Sequence, residues 1–231
     1  MSSFGDDAYT GIDNLEMMAE AKNYNAYLVR LITRDLKKTR TLVDFGAGSG
    51  IYAKMLANEG YKVHCIEPDA TLAGILSGAG LSVSEFVGKT EGDIEFLYSL
   101  NVLEHIKDDL GAVKDIFFHM KEGGEVFIYV PAFIVLYTSM DKKIGHYRRY
   151  TRKQLVQLFE RVGFVVDEAR YADSLGFFIT LLYKWVGSKQ GDINPKALKI
   201  YDTFIFPSSR FCDLFLSSLL GKNVMIRAHK P

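Results

Sequence analysis

A chain of 231 residues is long enough for one domain with a large core and short for two. Apolar residues make up 48% and charged residues 24%, proportions usual for a soluble globular protein. Lys plus Arg and Asp plus Glu each number 28, and a formal charge of zero argues against a duplex-DNA binder, which needs a surplus of cations on the phosphates.

The opening MSSFGDDAYT lacks the basic and apolar regions of a signal peptide, so a cytoplasmic protein is expected. Helical spacing of apolar residues runs from Leu15 to Asp35 and predicts a helix before the first strand, Thr41 to Phe45. A helix over Ile51 to Glu59, stopped by Gly60, leads to a second strand, Lys62 to Ile66. Ala70 to Ser77 reads as a helix, Leu81 to Val87 as a short strand and Ile94 to Ser99 as a buried strand. Leu110 to Met120 follows as a helix, Lys121 to Gly124 as a turn, and Glu125 to Val130 as a strand closed by Pro131. Thr151 caps a helix to Arg161, Gly163 ends it, and Phe164 to Ala169 is a strand. Leu175 to Val186 is apolar and aromatic, Ala197 to Leu220 is helical, and Asn223 to Arg227 is the last strand. The alternation predicts an α/β fold, a doubly wound, mostly parallel sheet of seven strands with a helical insertion before the last. Two cysteines, Cys65 and Cys212, offer neither a disulfide framework nor a CxxC metal site.

VDFGAGSG, Val43 to Gly50, joins a strand to a helix through three glycines, where outward backbone N–H groups make a site for an anionic or polar ligand. The dinucleotide pattern GxGxxG/A would need a small residue where Ile51 stands, and a Walker loop would need GK[ST]. Glu67, at the end of the second strand, is placed to accept both hydroxyls of a ribose. A ribose without a required pyrophosphate points to adenosine joined to something other than a diphosphate.

VDFGAGSG, CIEPD, LYSLNVLEHIKDD and GGEVFIYVP, in that order, resemble the class I S-adenosylmethionine-dependent methyltransferases over residues 20 to 170. The resemblance implies a Rossmann-like methyltransferase fold, S-adenosyl-L-methionine as cofactor and methyl transfer to an oxygen, or less favourably a nitrogen or carbon. It implies that Asp44 and the backbone of Gly46, Ala47, Gly48 and Gly50 hold the methionine part. Glu67 would bind the ribose, with Pro68 and Asp69 beside the adenine and Leu100, Asn101 and Val102 along the reacting methyl. The adenine-edge residue is expected between Ser84 and Thr90. Lys22 to Asn25 (KNYN) resembles the N-terminal helix that covers the cofactor in similar proteins, with Tyr24 there or in the core. The organisation expected is an N-terminal helical cap over 1–40, a cofactor-binding core over 41–170, an apolar lid over 171–222 and a last strand over 223–231.

Methyl transfer from a sulfonium is an in-line displacement, so the enzyme aligns a nucleophile and can take its proton. His105 and His146 are the candidates, since histidine titrates near neutrality. No metal ion is expected: Asn101 stands where metal-binding relatives with an E-x-x-E-H run carry the first Glu. GHYRRYT, Gly145 to Thr151, resembles a loop found in a subset of these methyltransferases. Its Tyr147, Arg148, Arg149 and Tyr150 suit an anionic acceptor group, or alternatively a solvated helix start. Leu175 to Val186 is too short to cross a membrane, which takes about 20 residues. The apolar tail is then a cap, a pocket for a small or lipid-like acceptor, a dimer face or a surface resting on a membrane. A catalytically silent cofactor-binding scaffold and an NAD(P)-dependent oxidoreductase are the alternatives, the latter opposed by Ile51.

Overall fold

The computed structural model of the protein describes residues 17–89, 94–186 and 194–231. Seven strands form one sheet in the order β3-β2-β1-β4-β5-β7-β6. They are β1 Thr41–Phe45, β2 Lys62–Ile66, β3 Ser82–Ser84, β4 Ile94–Leu100, β5 Met120–Pro131, β6 Val165–Ala172 and β7 Asn223–His229. β1 to β5 pair in parallel, whereas β7 runs antiparallel between β5 and β6. The switch of strand order at β1 and β4 opens a crevice at their carboxyl ends, where ligands bind in sheets of this kind.

Both faces of the sheet are covered. Alternate residues of β5 divide the core: Val126, Ile128 and Val130 face one layer, and Phe127 and Tyr129 face the other. The first layer holds helices Asp109–His119 and Arg152–Val162, through Val113, Ile116, Leu155 and Phe159. The second holds Lys22–Thr33, Ile51–Asn58, Ala70–Gly78 and Phe206–Leu216, through Leu28, Ile32, Leu56, Leu76 and Phe206. Thr151 and Gln154 form the capping box that starts the Arg152 helix, and Gly163, at φ 117°, ends it.

Several boundaries differ from expectation. The first long helix starts at Lys22 rather than Leu15, because helical structure is interrupted at Glu20 and Ala21. The third strand is confined to Ser82–Ser84, because Val87–Lys89 turns into a 3₁₀ helix. Lys121 to Gly124 lies within β5 rather than outside it, but the register jumps from Ile94 opposite Met120 to Phe96 opposite Glu125. The chain therefore bulges at this point, with Gly123 at φ 71°. The expected tail helix is broken into Pro195–Ile200, a π-turn over Tyr201–Ile205 and Phe206–Leu216. Pro207 has no N–H for the Thr203 carbonyl, which removes one α-type bond where the turn widens. Residues 1 to 16 of the N-terminal cap lie outside the described residues, as does Thr90.

The N-terminal helix Lys22–Thr33 has no cap of its own at Ala21. Asp202, in the π-turn, supplies it: its carboxylate accepts the Asn23 and Tyr24 N–H groups at 3.0 and 2.9 Å. At the other end Arg227 of β7 donates to the carbonyls of Leu31 and Ile32. Each charge complements the helix dipole at the end it meets. Asp202→Ala should cost about 1–2 kcal/mol, lowering the melting midpoint by about 2–8 °C in a chain of this size. Asp202→Asn should recover part of the loss; a melt of the alanine variant indistinguishable from wild type would remove the cap from the account.

Candidate functional site

The loop from Gly46 to Gly50 bends by backbone conformations that side chains resist: φ is 80° at Gly46, 56° at Gly48 and 79° at Gly50. A Cβ on Gly46 would come within 2.5 Å of Val102 Cγ2, so the loop lies directly against the segment after β4. Gly46 and Ala47 donate their N–H groups to the Ile66 carbonyl at 2.9 and 3.2 Å, which ties the loop to the end of β2. Glu67 closes the tie. Its Oε2 accepts from the Gly48 N–H at 2.7 Å and its Oε1 from the Asp69 N–H at 3.0 Å. Each carboxylate oxygen keeps a second lone pair for another donor. Pro68 is half-buried beside it, and Asp69 caps the next helix by accepting from Thr71 and Leu72.

Asp44 stands at the end of β1, 4% exposed. Burial pushes its carboxyl up to about 7; the nearby Tyr98 side chain opposes the shift and the Glu67 charge adds to it. Burial also raises Glu67, against the two backbone N–H groups. Tyr52 and Tyr98 are both pushed up by burial and by the Asp44 charge. Tyr52 donates to Asn25 Oδ1 at 2.9 Å and so fastens the N-terminal helix over the loop. Tyr24 is buried in that helix, edge-on to Phe206 and Tyr129 with centroids 5.2 and 6.3 Å away. The sequence reading did not single out Tyr52, Tyr98 or Tyr129. A signal existed in β4, where Tyr98 and Ser99 interrupt an apolar strand just before its carboxyl end.

Leu100, Asn101 and Val102 border the same crevice. Asn101 adopts φ 55°, donates its N–H to the Tyr129 carbonyl at 2.7 Å and faces Asn223 of β7. Beyond them the chain makes a 3₁₀ turn over Leu103–His105, and the GHYRRYT loop folds onto it. The Tyr147 N–H donates to the Glu104 carbonyl at 2.8 Å. Glu104 is fully buried, with His146 Nε2 3.7 Å from its Oε1. The His105 and His146 rings meet edge-on, centroids 4.6 Å apart. His146 Nδ1 bonds Asp141 Oδ1 at 2.7 Å, and Asp141 also takes both arms of Arg149, at 2.8 and 3.0 Å.

Burial raises the Glu104 carboxyl to about 7, whereas burial and the neighbouring His146 push His105 down to about 3. Asp141 is held well below the usual carboxylate range by His146 and Arg149, which outweigh its burial.

The structure thus brings His105 and His146 together, a pairing no local spacing shows. It gives the two arginines partners inside the protein: Arg148 pairs with Asp109 at 2.6 Å and Arg149 with Asp141. Tyr150 is buried, its hydroxyl bonded to Asp109 Oδ2 at 2.9 Å. These three side chains brace the loop rather than reach out from it, while Tyr147 is 55% exposed. Among the described residues no helix is long and apolar enough to cross a membrane.

The methyltransferase-domain family matches residues 17–169. No curated protein matches the sequence. Among solved structures, a chain of the complex between the Haloferax volcanii Trm112 methyltransferase activator and its methyltransferase aligns with a TM-score of 0.65 and 14% identity, over 98% of this chain and 100% of that one. A Thermotoga maritima S-adenosylmethionine-dependent methyltransferase gives 0.62 and 17%, over 95% and 96%. Haemonchus contortus phosphoethanolamine N-methyltransferase 2, solved with S-adenosyl-L-methionine, gives 0.59 and 19%, over 90% of this chain and 52% of its own. At these identities the structural likeness speaks for the fold, and the family match for the activity. The chain belongs to the methyltransferase-domain family, as an S-adenosylmethionine-dependent methyltransferase.

Proposed function

We propose that the chain moves the methyl group of S-adenosylmethionine to an oxygen of a small or lipid-like acceptor. The observation that carries this reading is the Glu104, His105, His146 and Asp141 cluster, set directly beyond the Leu100–Val102 segment that borders the glycine loop. A hydroxyl must lose its proton as it attacks, and a polar centre at the mouth of the cofactor crevice serves that need. In this assignment Asp44 and the carbonyls of Gly46, Ala47 and Gly48 hold the methionine ammonium, with Gly50 turning the chain into the helix. Glu67 accepts the ribose hydroxyls. Pro68 and Asp69 flank the adenine, and Leu100, Asn101 and Val102 lie along the methyl group. Of the two histidines, His146 is the proton acceptor, oriented by Asp141; His105 binds protons too weakly to serve. Tyr147 contacts the acceptor.

The lipid-like half of the reading rests on the insertion. Phe211, Leu214 and Phe215 are 67%, 74% and 72% exposed, and their spacing makes an apolar ridge on one face of the Phe206–Leu216 helix. The ridge fits a membrane surface that presents the acceptor. Radiolabelled cofactor should therefore methylate hydroxylated lipids in vesicles, giving an alkali-stable ether. Phe211→Ser with Phe215→Ser should cut that rate about tenfold or more, consistent with the loss of roughly 1.4 kcal/mol or more of surface binding, without changing cofactor affinity. A product methylated on nitrogen, or equal rates for the double variant, would overturn the assignment.

A further inference from the structure

At the edge of the sheet, separated by three strands from β1 and its glycine loop, a cleft of about 340 Å³ opens between strand β6 and the helices Lys22–Thr33 and Phe206–Leu216. Two cations line it. Arg170 of β6 lies opposite Met225 in the ladder and so faces the layer that holds both helices. Arg210 reaches across from the Phe206–Leu216 helix, its guanidinium 4.3 Å from the Tyr27 ring centroid.

Neither cation is fully paired inside the protein. Arg170 is half-buried and gives its Nε to Glu168 Oε1 at 2.8 Å, a carboxylate that also holds Arg34. Among the described residues no carboxylate takes its outer nitrogens, and none pairs with Arg210. Asp213, the acid in the cleft, is occupied elsewhere: it accepts from the Asp173 and Ser174 N–H groups at 2.9 and 2.8 Å and from the Ser174 hydroxyl. Tyr27 lies between the two arginines. Burial raises its hydroxyl and the Arg170 and Arg210 charges oppose the rise, so a protonated donor stands beside both. A guanidinium ordered on an aromatic face, next to a second guanidinium and a hydroxyl, is a donor set suited to a tetrahedral oxyanion.

The cleft also has an apolar side. Leu214 lines it and belongs to the exposed ridge with Phe211 and Phe215. A free ion gains nothing from that continuity, whereas a molecule with a phosphate head and a hydrocarbon body meets both surfaces. We propose that Arg170, Arg210 and Tyr27 bind the phosphate of an anionic membrane lipid beside the ridge. The lipid as the source of the phosphate rests on the membrane reading given above. Binding is measured without cofactor or acceptor, so failed methyl transfer and a failed site give different results.

Flotation of the full chain with phosphatidylcholine vesicles, with and without phosphatidic acid, is the measurement. Phosphatidic acid should raise partitioning about tenfold or more, the scale of two basic side chains at a membrane surface. Arg170→Gln with Arg210→Gln should abolish that gain and leave the weaker binding to phosphatidylcholine. Because Arg170 also braces Glu168, the exposed Arg210→Gln alone serves if the double variant fails to fold, and Arg210→Lys should recover only part of the gain. Lys153→Gln with Arg161→Gln, equal in charge and on a helix covering the opposite face, should change nothing. An equal loss in that control, or an undiminished gain in the folded arginine variants, would overturn the site. Inorganic phosphate that binds as tightly as the vesicles, and is lost with Arg210→Gln, would overturn the lipid as its occupant. Unchanged flotation of Phe211→Ser with Phe215→Ser, with the arginine dependence intact, would overturn the membrane role of the ridge while supporting this site.

Discussion

Glu67→Ala should raise the dissociation constant for S-adenosylmethionine by about 100-fold or more, the largest single effect expected at the cofactor site. The carboxylate has two kinds of partner. Its inner lone pairs hold the Gly48 and Asp69 N–H groups, and its outer ones receive the two ribose hydroxyls in the proposed complex. A hydrogen bond to a charged acceptor contributes about 1.5–3 kcal/mol, so losing two removes about 3–6 kcal/mol of binding. The same change leaves the Gly48 amide without its acceptor and loosens the glycine loop. Glu67→Gln separates the two roles: one oxygen still accepts, the charge is gone, and an intermediate loss is expected. Isothermal titration with the cofactor and with S-adenosylhomocysteine provides the measurement, and circular dichroism shows whether the fold is kept. An alanine variant that binds within a few-fold of wild type would move the ribose away from Glu67 and reopen the dinucleotide and scaffold alternatives.

What could be read from residues alone followed from how local each cause is. β1 and β2 have the boundaries expected from the sequence, since each is a short apolar run closed by glycine or proline chemistry. The helix after Thr151 was legible for the same reason: its capping box and its terminal glycine lie within the segment they bound. Longer-range causes left less trace. Asp202 caps a helix far earlier in the chain, and nothing around Asp202 announces it. Arg148 and Arg149 looked like a grip for an anion because their carboxylate partners, Asp109 and Asp141, are not adjacent in sequence. Glu104 and His105 were legible as neighbours, but the approach of His146 depends on how the loop after β5 folds back on β4. The third strand shortened for a more local reason, a 3₁₀ turn at Val87 that alternation of side chains does not forecast.

Cofactor affinity should rise with pH from about 5 to 7 and level off above that, and Asp44 is the reason. Burial holds its carboxyl up to about 7 in the ligand-free protein. The raised value means that Asp44 favours the fold most when protonated. Its contribution is complete below the ordinary carboxylate range and is lost as pH climbs through 7. An ammonium group placed against it reverses the preference, since the ion pair forms only with the ionised form. Below about 7, then, binding must expel a proton, and the association constant should increase up to tenfold per pH unit. Glu67 is also raised by burial and would add to the slope with the same sign, because ribose hydroxyls donate to its ionised form. Asp44→Asn isolates the contribution. The amide cannot ionise, so the variant should bind weakly and with a flatter profile, retaining only the part due to Glu67. Titrations at pH 6 in buffers of different ionisation enthalpy count the proton directly. A wild-type profile already flat between pH 5 and 7 would show that Asp44 does not meet the cofactor's ammonium group.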